Sequence, residues 1–131
     1  MKSKKGLLLI TIVIFSLFAF GSYLLSDKGK KKVISTTSAP KAIGPYSQAI
    51  KHGNMLFLSG QLGFNPMTNQ LPITVEEQTK QAMENLKAVL DAAKMDFKDV
   101  VQTHIFLKDI NDFQKVNEIY AKYFDGDLGI V

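Results

Sequence analysis

The sequence predicts a small α+β domain in residues 33–131, preceded by a hydrophobic N-terminal segment. Short runs in which apolar and polar residues alternate are typical of half-buried strands. Two longer runs instead repeat their apolar residues at helical spacing. The resulting order of strand, hairpin, helix, strand and helix favours a sheet with both helices on one face.

The first part of this domain predicts an edge strand and a hairpin. Residues 33–36 form a short β-branched run, which is typical of a strand. Residues 47–51 and 55–59 flank the turn-forming triplet His52-Gly53-Asn54, so we expect the two runs to pair as a hairpin. Residues 60–71 are rich in Gly, Pro and Asn and predict a loop.

The run that begins at Thr74 predicts the first helix. Thr74 and Glu77 have the spacing of a capping box, in which each side chain satisfies a free backbone N–H of the other residue. Six apolar side chains then share one helical face: Ala82, Met83, Leu86, Val89, Leu90 and Ala93. Four charged side chains lie on the opposite side at ion-pair spacing: Lys80, Glu84, Lys87 and Asp91.

The remainder predicts one more strand and one more helix. Apolar residues alternate in residues 100–108, as expected for a strand. Asn111 is a favourable N-cap residue, and we expect the second helix to begin there. The predicted buried stripe of that helix consists of Phe113, Val116, Ile119, Tyr120 and Tyr123.

The N-terminal segment suggests a signal peptide or a membrane anchor in residues 1–25, followed by a linker in residues 26–32. Residues 6–25 carry no charge and follow three Lys, and at the helical rise they span about 30 Å. A buried core helix is the alternative, but the run lacks a polar stripe. We expect the domain to be exported (periplasmic or extracytoplasmic) or membrane-anchored, and cytoplasmic only if an anchor lies with its N-terminus outside.

Composition argues against several function classes. Residues 1–32 contain seven Lys and one acidic residue, which gives a formal net charge of +6. Residues 33–131 contain nine Lys and eleven acidic residues, which gives −2. A nucleic-acid-binding domain usually carries positive charge on its folded body, so we expect no nucleic-acid partner. The sequence has no Cys, which excludes thiol catalysis and iron–sulfur clusters, and all sixteen basic residues are Lys.

Individual residues give a modest signal for chemistry. His52 fits an exposed turn and His104 a strand, and without a neighbouring acid cluster we expect no metal site. Phosphate and dinucleotide motifs are missing, so we expect no cofactor. The loops at residues 44–49 and 59–61 could hold a small polar substrate, although turn formation alone would explain their Gly and Pro.

Five collinear motifs resemble the RidA/YjgF family of reactive-intermediate deaminases, with coverage from about residue 33 to 126. They lie at residues 42–49 (AIGPYSQA), 58–61 (LSGQ), 77–86 (EQTKQAMENL), 106–113 (FLKDINDF) and 116–120 (VNEIY). The resemblance implies a chorismate-mutase-like α+β fold with a mixed sheet and two helices on one face. It also implies a homotrimer with active sites at the three subunit interfaces.

The implied reaction is the hydrolysis of enamines or imines, such as 2-iminobutanoate and 2-iminopropanoate, to 2-oxo acids and ammonia without a cofactor. The resemblance makes Tyr46 the pocket tyrosine, Ser59 and Gly60 the strand-end substrate contacts, and Asn111 the pocket asparagine. It identifies no catalytic residue in this chain and no metal ligand.

The sequence departs from the family around Asp127 and has no counterpart of its Pro-Ala-Arg motif or its C-terminal Glu. We therefore expect a domain truncated before its final strand. We also expect hydrolysis no better than background, because Lys does not reproduce the bidentate contact of Arg with a carboxylate. One alternative is a non-catalytic ligand-binding or interaction protein. The other is a ribonuclease or translation inhibitor, but the negative net charge of residues 33–131 argues against it.

Overall fold

The computed structural model describes residues 29–124, which form the predicted α+β fold with a sheet and two helices. The strands are β1 (Lys31–Ile34), β2 (Ala49–His52) and β3 (Met55–Leu58). The helices are α1 (Val75–Ala92) and α2 (Phe113–Tyr120). Short 3₁₀ turns lie at Phe97–Asp99, Ile110–Asp112 and Ala121–Tyr123.

The sheet has the order β1-β2-β3, and both pairs of strands are antiparallel. The predicted hairpin is confirmed, since β2 and β3 pair around a turn in which Gly53 has a φ of 59° that favours glycine. β1 begins at Lys31, two residues before the predicted start of the domain. Within residues 29–124 the sheet is purely antiparallel, so the mixed sheet expected from the resemblance is not seen there.

Residues 100–108 form no regular secondary structure, and the predicted strand is wrong for the described residues. Alternating apolar residues favour a strand, but a strand also needs a neighbour to pair with its backbone groups. β3 pairs with β2 alone in this part of the chain. The segment is held instead by a hydrogen bond of 2.6 Å between the hydroxyl groups of Thr103 and Tyr120.

α1 begins at the predicted position. The Thr74 side chain accepts a hydrogen bond from the Glu77 backbone N–H at 3.2 Å. The reciprocal half of the capping box differs, because the Glu77 carboxylate accepts from the Thr74 hydroxyl at 3.0 Å rather than from its backbone. On the outer face, Lys87 and Asp91 form the expected i,i+4 ion pair at 2.9 Å.

Asn111 does not begin α2. The carboxylate of Asp109 accepts the Asn111 backbone N–H at 2.9 Å and starts a 3₁₀ turn, which leads into the helix at Phe113. An N-cap side chain acts on a residue two or three positions later, so the acid placed before the turn takes this role. Phe113 is 57% exposed, whereas Val116 is buried, so only part of the predicted stripe reaches the core.

The core lies between the sheet and α1. Ile34 and Ala49 on one sheet face pack with Val89 and Ala93, and Leu56 and Leu58 of β3 lie against this cluster. A second cluster consists of Met83, Leu90, Phe97 and Phe124, and Tyr120 of α2 packs against it. The rings of Phe97 and Phe124 meet edge to face at 5.3 Å, a favourable aromatic geometry.

The expected export or membrane anchoring of the domain is contradicted. Among the helices of residues 29–124, none is long and apolar enough to cross a bilayer. The segment on which that prediction rested, residues 6–25, lies outside the described residues, as does the departure from the family around Asp127.

Candidate functional site

Ser59 stands at the end of β3, where the hairpin continues by one further pair. Its backbone N–H donates to the carbonyl oxygen of Gln48 at 3.0 Å, and its hydroxyl donates to the same oxygen at 3.1 Å. The side-chain amide of Gln61 donates to the Ser59 hydroxyl oxygen at 3.3 Å. The Ser59 side chain is therefore fixed, with one oxygen lone pair left for a further donor.

Gly60 follows this fixed serine and faces open space. A Cβ added at Gly60 would meet no atom within 4 Å. Its backbone N–H finds no hydrogen-bond partner in the described part of the chain. The end of β3 thus offers a backbone donor, which can hold a carbonyl or carboxylate oxygen, beside a hydroxyl oxygen that can accept a hydrogen bond from an N–H group.

Tyr46 lies in the turn that precedes β2. Its backbone N–H donates to Gly44 at 2.8 Å, and its ring rests against the Gly44 backbone. The phenol oxygen accepts the Ile43 N–H at 3.4 Å, which is long for a hydrogen bond. Because Tyr46 is 51% exposed, its hydroxyl hydrogen remains available to a ligand.

Gln48 was not among the predicted site residues, yet it joins these two segments. Its side chain is buried and donates to the carbonyl oxygens of Thr36 at 3.0 Å and Pro40 at 2.9 Å. Its Oε1 accepts the Thr36 backbone N–H at 2.6 Å. Gln48 therefore holds the turn that leads towards Tyr46 and, through its backbone, the serine at the end of β3.

Asn85 is the second residue that the sequence analysis missed. It lies on α1, is fully buried, and donates to the carbonyl oxygens of Leu62 and Phe64 at 2.9 Å each. Its Oδ1 accepts the Gln81 side-chain amide at 3.0 Å. The signal was present in the sequence, since Asn85 lies one turn before Val89 on the apolar face that was recognised.

The loop after Gly60 packs directly on α1. A Cβ added at Gly63 would collide with the backbone of Gln78, so glycine is required for this close approach. The Gln78 side chain donates to the carbonyl oxygen of Pro72 at 2.7 Å. The helix therefore holds both ends of the loop that begins at the candidate site.

Asn111 stands apart from the other predicted site residues. Its side chain is exposed on the 3₁₀ turn before α2. Within residues 29–124 no hydrogen bond links it to Tyr46, Ser59 or Gly60. Within one chain, Gln48 thus links the segments of Tyr46 and Ser59, whereas Asn111 lies outside this hydrogen-bond network.

A separate groove of about 410 Å³ lies between the helices, lined by Glu76, Glu77, Lys80, Ile119, Lys122 and Tyr123. Partial burial, together with a hydrogen bond to Glu84, raises the pKa of Tyr123 to about 12. A backbone hydrogen bond lowers the pKa of Glu76, helped by Lys115 at 3.4 Å. In residues 29–124, His and acidic side chains do not gather in threes as a metal ion would require.

Comparison with known proteins finds the same fold and closely similar sequences. A RutC family protein of Pyrococcus horikoshii is 52% identical over 95 residues, which cover 72% of this chain and 75% of that protein. The 2-iminobutanoate/2-iminopropanoate deaminase of Mus musculus is 54% identical over 99 residues, covering 75% and 73%. The crystal structure of Escherichia coli TdcF with bound serine matches with a TM-score of 0.71 at 39% identity, covering 76% and 79%.

The family model described as Endoribonuclease L-PSP matches residues 36–128, which include all the motifs quoted above. This match spans more than half of the chain. The two relatives named above are more than 50% identical to the chain over about three quarters of its length. The chain therefore belongs to the Endoribonuclease L-PSP family, the RidA/YjgF family that its motifs resemble.

Proposed function

We propose that this protein is a deaminase-type member of its family whose substrates are small 2-imino acids. In that reaction water adds to the imine carbon, the C–N bond breaks, and a 2-oxo acid and ammonia leave. The observation that carries the proposal is the 54% identity to the 2-iminobutanoate/2-iminopropanoate deaminase of Mus musculus. The bound serine of the similar Escherichia coli TdcF supports a ligand of amino-acid size.

The geometry at the end of β3 suits such a ligand. The Gly60 N–H and the Ser59 hydroxyl oxygen lie on adjacent residues, and a small 2-imino acid has acceptors and an N–H for both. We assign the exposed phenol of Tyr46 to a third contact, as a donor to the substrate or to the attacking water. A cofactor has no part in this scheme, because water and a proton donor are sufficient.

In this proposal, Asn111 contributes to the substrate-binding site of a neighbouring subunit. The face of the sheet turned away from α1 exposes Val33, Met55 and Phe57 by 53–60%. Such an apolar face is typical of a surface that a second copy covers. A homotrimer with sites at its interfaces would bury this face and would explain why Asn111 lies apart from Ser59 within one chain.

The substrate carboxylate poses the main problem for catalysis, because the 131 residues contain no Arg. A charge-assisted hydrogen bond contributes about 1.5–3 kcal/mol. At about 1.4 kcal/mol per tenfold, its absence removes about one to two orders of magnitude in rate. We therefore expect the 131-residue chain to release 2-oxo acid about ten to a hundred times more slowly than a chain that carries this Arg.

The test is 2-oxo acid release in an assay coupled to a Thr dehydratase. The 131-residue chain is compared with a chain extended by a Pro-Ala-Arg strand, and Tyr46→Phe is made in both. Turnover in the extended chain that falls at least about tenfold with Tyr46→Phe would support the proposal. Tyr120→Phe, which removes a hydroxyl bonded to Thr103, is the matched control and should leave turnover unchanged.

Two results would contradict parts of this proposal. Robust turnover by the unextended chain would show that Arg is dispensable here. Saturable binding of 2-oxobutanoate without turnover in either chain would favour a non-catalytic ligand-binding protein instead. Because the family is described as an endoribonuclease, cleavage of RNA is tested as well. We expect no cleavage, since residues 33–131 carry a net charge of −2.

A further inference from the structure

Two polar side chains are buried in the described part of the chain, and both are amides: Gln48 is 4% exposed and Asn85 is not exposed at all. A buried amide destabilises a fold unless its hydrogen bonds are made. Here every buried side-chain nitrogen and oxygen atom of residues 29–124 has a partner. Those partners indicate what the two amides do.

Gln48 directs its side chain to backbone rather than to other side chains. It donates to Thr36 and Pro40, reaches the Ala39 carbonyl at 3.3 Å, and accepts from Thr36. One side chain thus replaces secondary structure for the turn at residues 36–40. The same residue supplies the carbonyl oxygen that fixes Ser59, only two positions after Tyr46.

Asn85 acts in the same way on the other segment. Both of its N–H donors are directed at loop carbonyl oxygens, those of Leu62 and Phe64. These residues flank Gly63, where the loop touches the α1 backbone. The loop cannot move away from the helix without leaving a buried amide and two carbonyl oxygens unpaired.

Packing alone does not explain an amide at either position. Val89, one turn after Asn85 on the same helix face, is fully buried and apolar. An apolar side chain at position 85 would fill the core equally well but would leave the loop carbonyl oxygens without donors. Each buried amide holds a different segment, and the two segments supply Tyr46 on one side and Ser59-Gly60 on the other.

We propose that Gln48 and Asn85 are positioning residues, which hold the Tyr46 segment and the Ser59-Gly60 segment in the arrangement that binds substrate. The inference rests on the proposed function for the identity of the ligand, but not for the placement of the loops. Misplacement of binding groups by about 1 Å can reduce a rate about a hundredfold. Loss of either amide therefore lowers affinity beyond what its effect on stability explains.

The experiment uses the full chain and two near-isosteric variants. Asn85→Asp keeps the acceptor for Gln81 and removes the donors to Leu62 and Phe64. Gln48→Glu keeps the acceptor for Thr36 and removes the donors to its carbonyl partners. Val89→Ala is the control, because it disturbs α1 at a fully buried position and has no hydrogen bond to either loop.

Two measurements are made under conditions in which every variant is folded by circular dichroism. Amide hydrogen exchange, read by NMR at the hydrogen-bonded amides of Thr36, Ser59 and Asn65, reports whether either segment has loosened. Titration with 2-oxobutanoate, followed at the Ser59 and Gly60 amide resonances, reports affinity for the product of the proposed reaction.

We expect Asn85→Asp to speed exchange at the hydrogen-bonded amides of Ser59 and Asn65, and Gln48→Glu to speed exchange at Thr36 and Ser59. Each should weaken 2-oxobutanoate binding at least about tenfold, while Val89→Ala stays within about twofold of the parent. Equal losses of affinity in the control would show that general destabilisation is responsible and would overturn the proposal. Unchanged exchange in both amide variants would do the same.

Two further arms keep the result decisive. If Asn85→Asp does not fold, Gly63→Ala moves the same loop off α1 without altering Asn85 and should reproduce the loss of affinity. If the parent chain does not bind 2-oxobutanoate, the titration is repeated in the chain extended by a Pro-Ala-Arg strand. Lack of binding there as well would contradict the proposed function, and the exchange measurements alone would then decide whether the amides hold the loops.

Discussion

The hydroxyl of Tyr123 donates a hydrogen bond to Oε1 of Glu84 at 2.8 Å and so joins the 3₁₀ turn after α2 to the middle of α1. The Tyr123 ring also meets Phe97 edge to face at 5.4 Å. The two contacts link the chain after the second helix to the second core cluster. Because the phenol is partly buried and faces a carboxylate, the fold favours its neutral form.

This relationship predicts a loss of stability in alkaline solution. The pKa of Tyr123 rises from about 10 in the unfolded chain to about 12 in the folded one, so its stabilisation is complete below pH 10. The stabilisation is then lost as the pH rises from 10 towards 12. After allowance for solvent screening at this partly exposed site, we expect a loss of about 1 kcal/mol.

Urea unfolding of the parent and of Tyr123→Phe at pH 8, 10 and 11.5 measures this effect. The difference between the two free energies of unfolding should shrink with pH, because the variant has no phenol to ionise. Parallel pH profiles for the two proteins would contradict the assignment.

Gly63 and Gly60 provide a matched pair for the loop after β3. Gly63→Ala forces a methyl group against the Gln78 backbone, and overpacking of this kind costs about 1–3 kcal/mol. Gly60→Ala places its methyl group in open space, so its free energy of unfolding should stay within about 0.5 kcal/mol of the parent. Thermal unfolding of both variants is the measurement, and equal stabilities would show that the loop does not touch α1 in solution.

The exposed sheet face predicts self-association. Phe57→Glu places a charge at its centre and should shift the protein towards monomer, by about tenfold or more in association constant. Ile73→Glu is the control, because Ile73 is 96% exposed and lies outside the sheet. Light scattering with size-exclusion chromatography gives the mass, and an unchanged oligomer for Phe57→Glu would place the interface elsewhere.

Local patterns were sufficient to predict the hairpin and α1. The turn around Gly53 brings together neighbours in sequence, and the Thr74 cap acts within one helical turn. Such elements depend on residues only a few positions apart, which the sequence displays directly. The apolar face of α1 was read correctly for the same reason, with Met83, Val89 and Leu90 buried.

Non-local partners decided the features that the sequence did not reveal. Residues 100–108 have strand-like alternation but no strand partner in the described part of the chain, so their propensity has no ladder to join. Asn111 is a good N-cap in isolation, but Asp109 already supplies the carboxylate. The roles of Gln48 and Asn85 depend on carbonyl groups 8–23 residues away, whose positions no local pattern gives.

The register of the first two strands places like charges opposite one another. Lys32 faces Lys51, and neither of these two side chains takes part in a salt bridge within residues 29–124. Directly opposed like charges destabilise an antiparallel pair, and dissolved ions screen them over about 10 Å at 0.1 M ionic strength. Salt therefore has opposite effects on two parts of the molecule: it weakens the exposed Lys87–Asp91 pair on α1 and holds the outer strand more firmly to its neighbour.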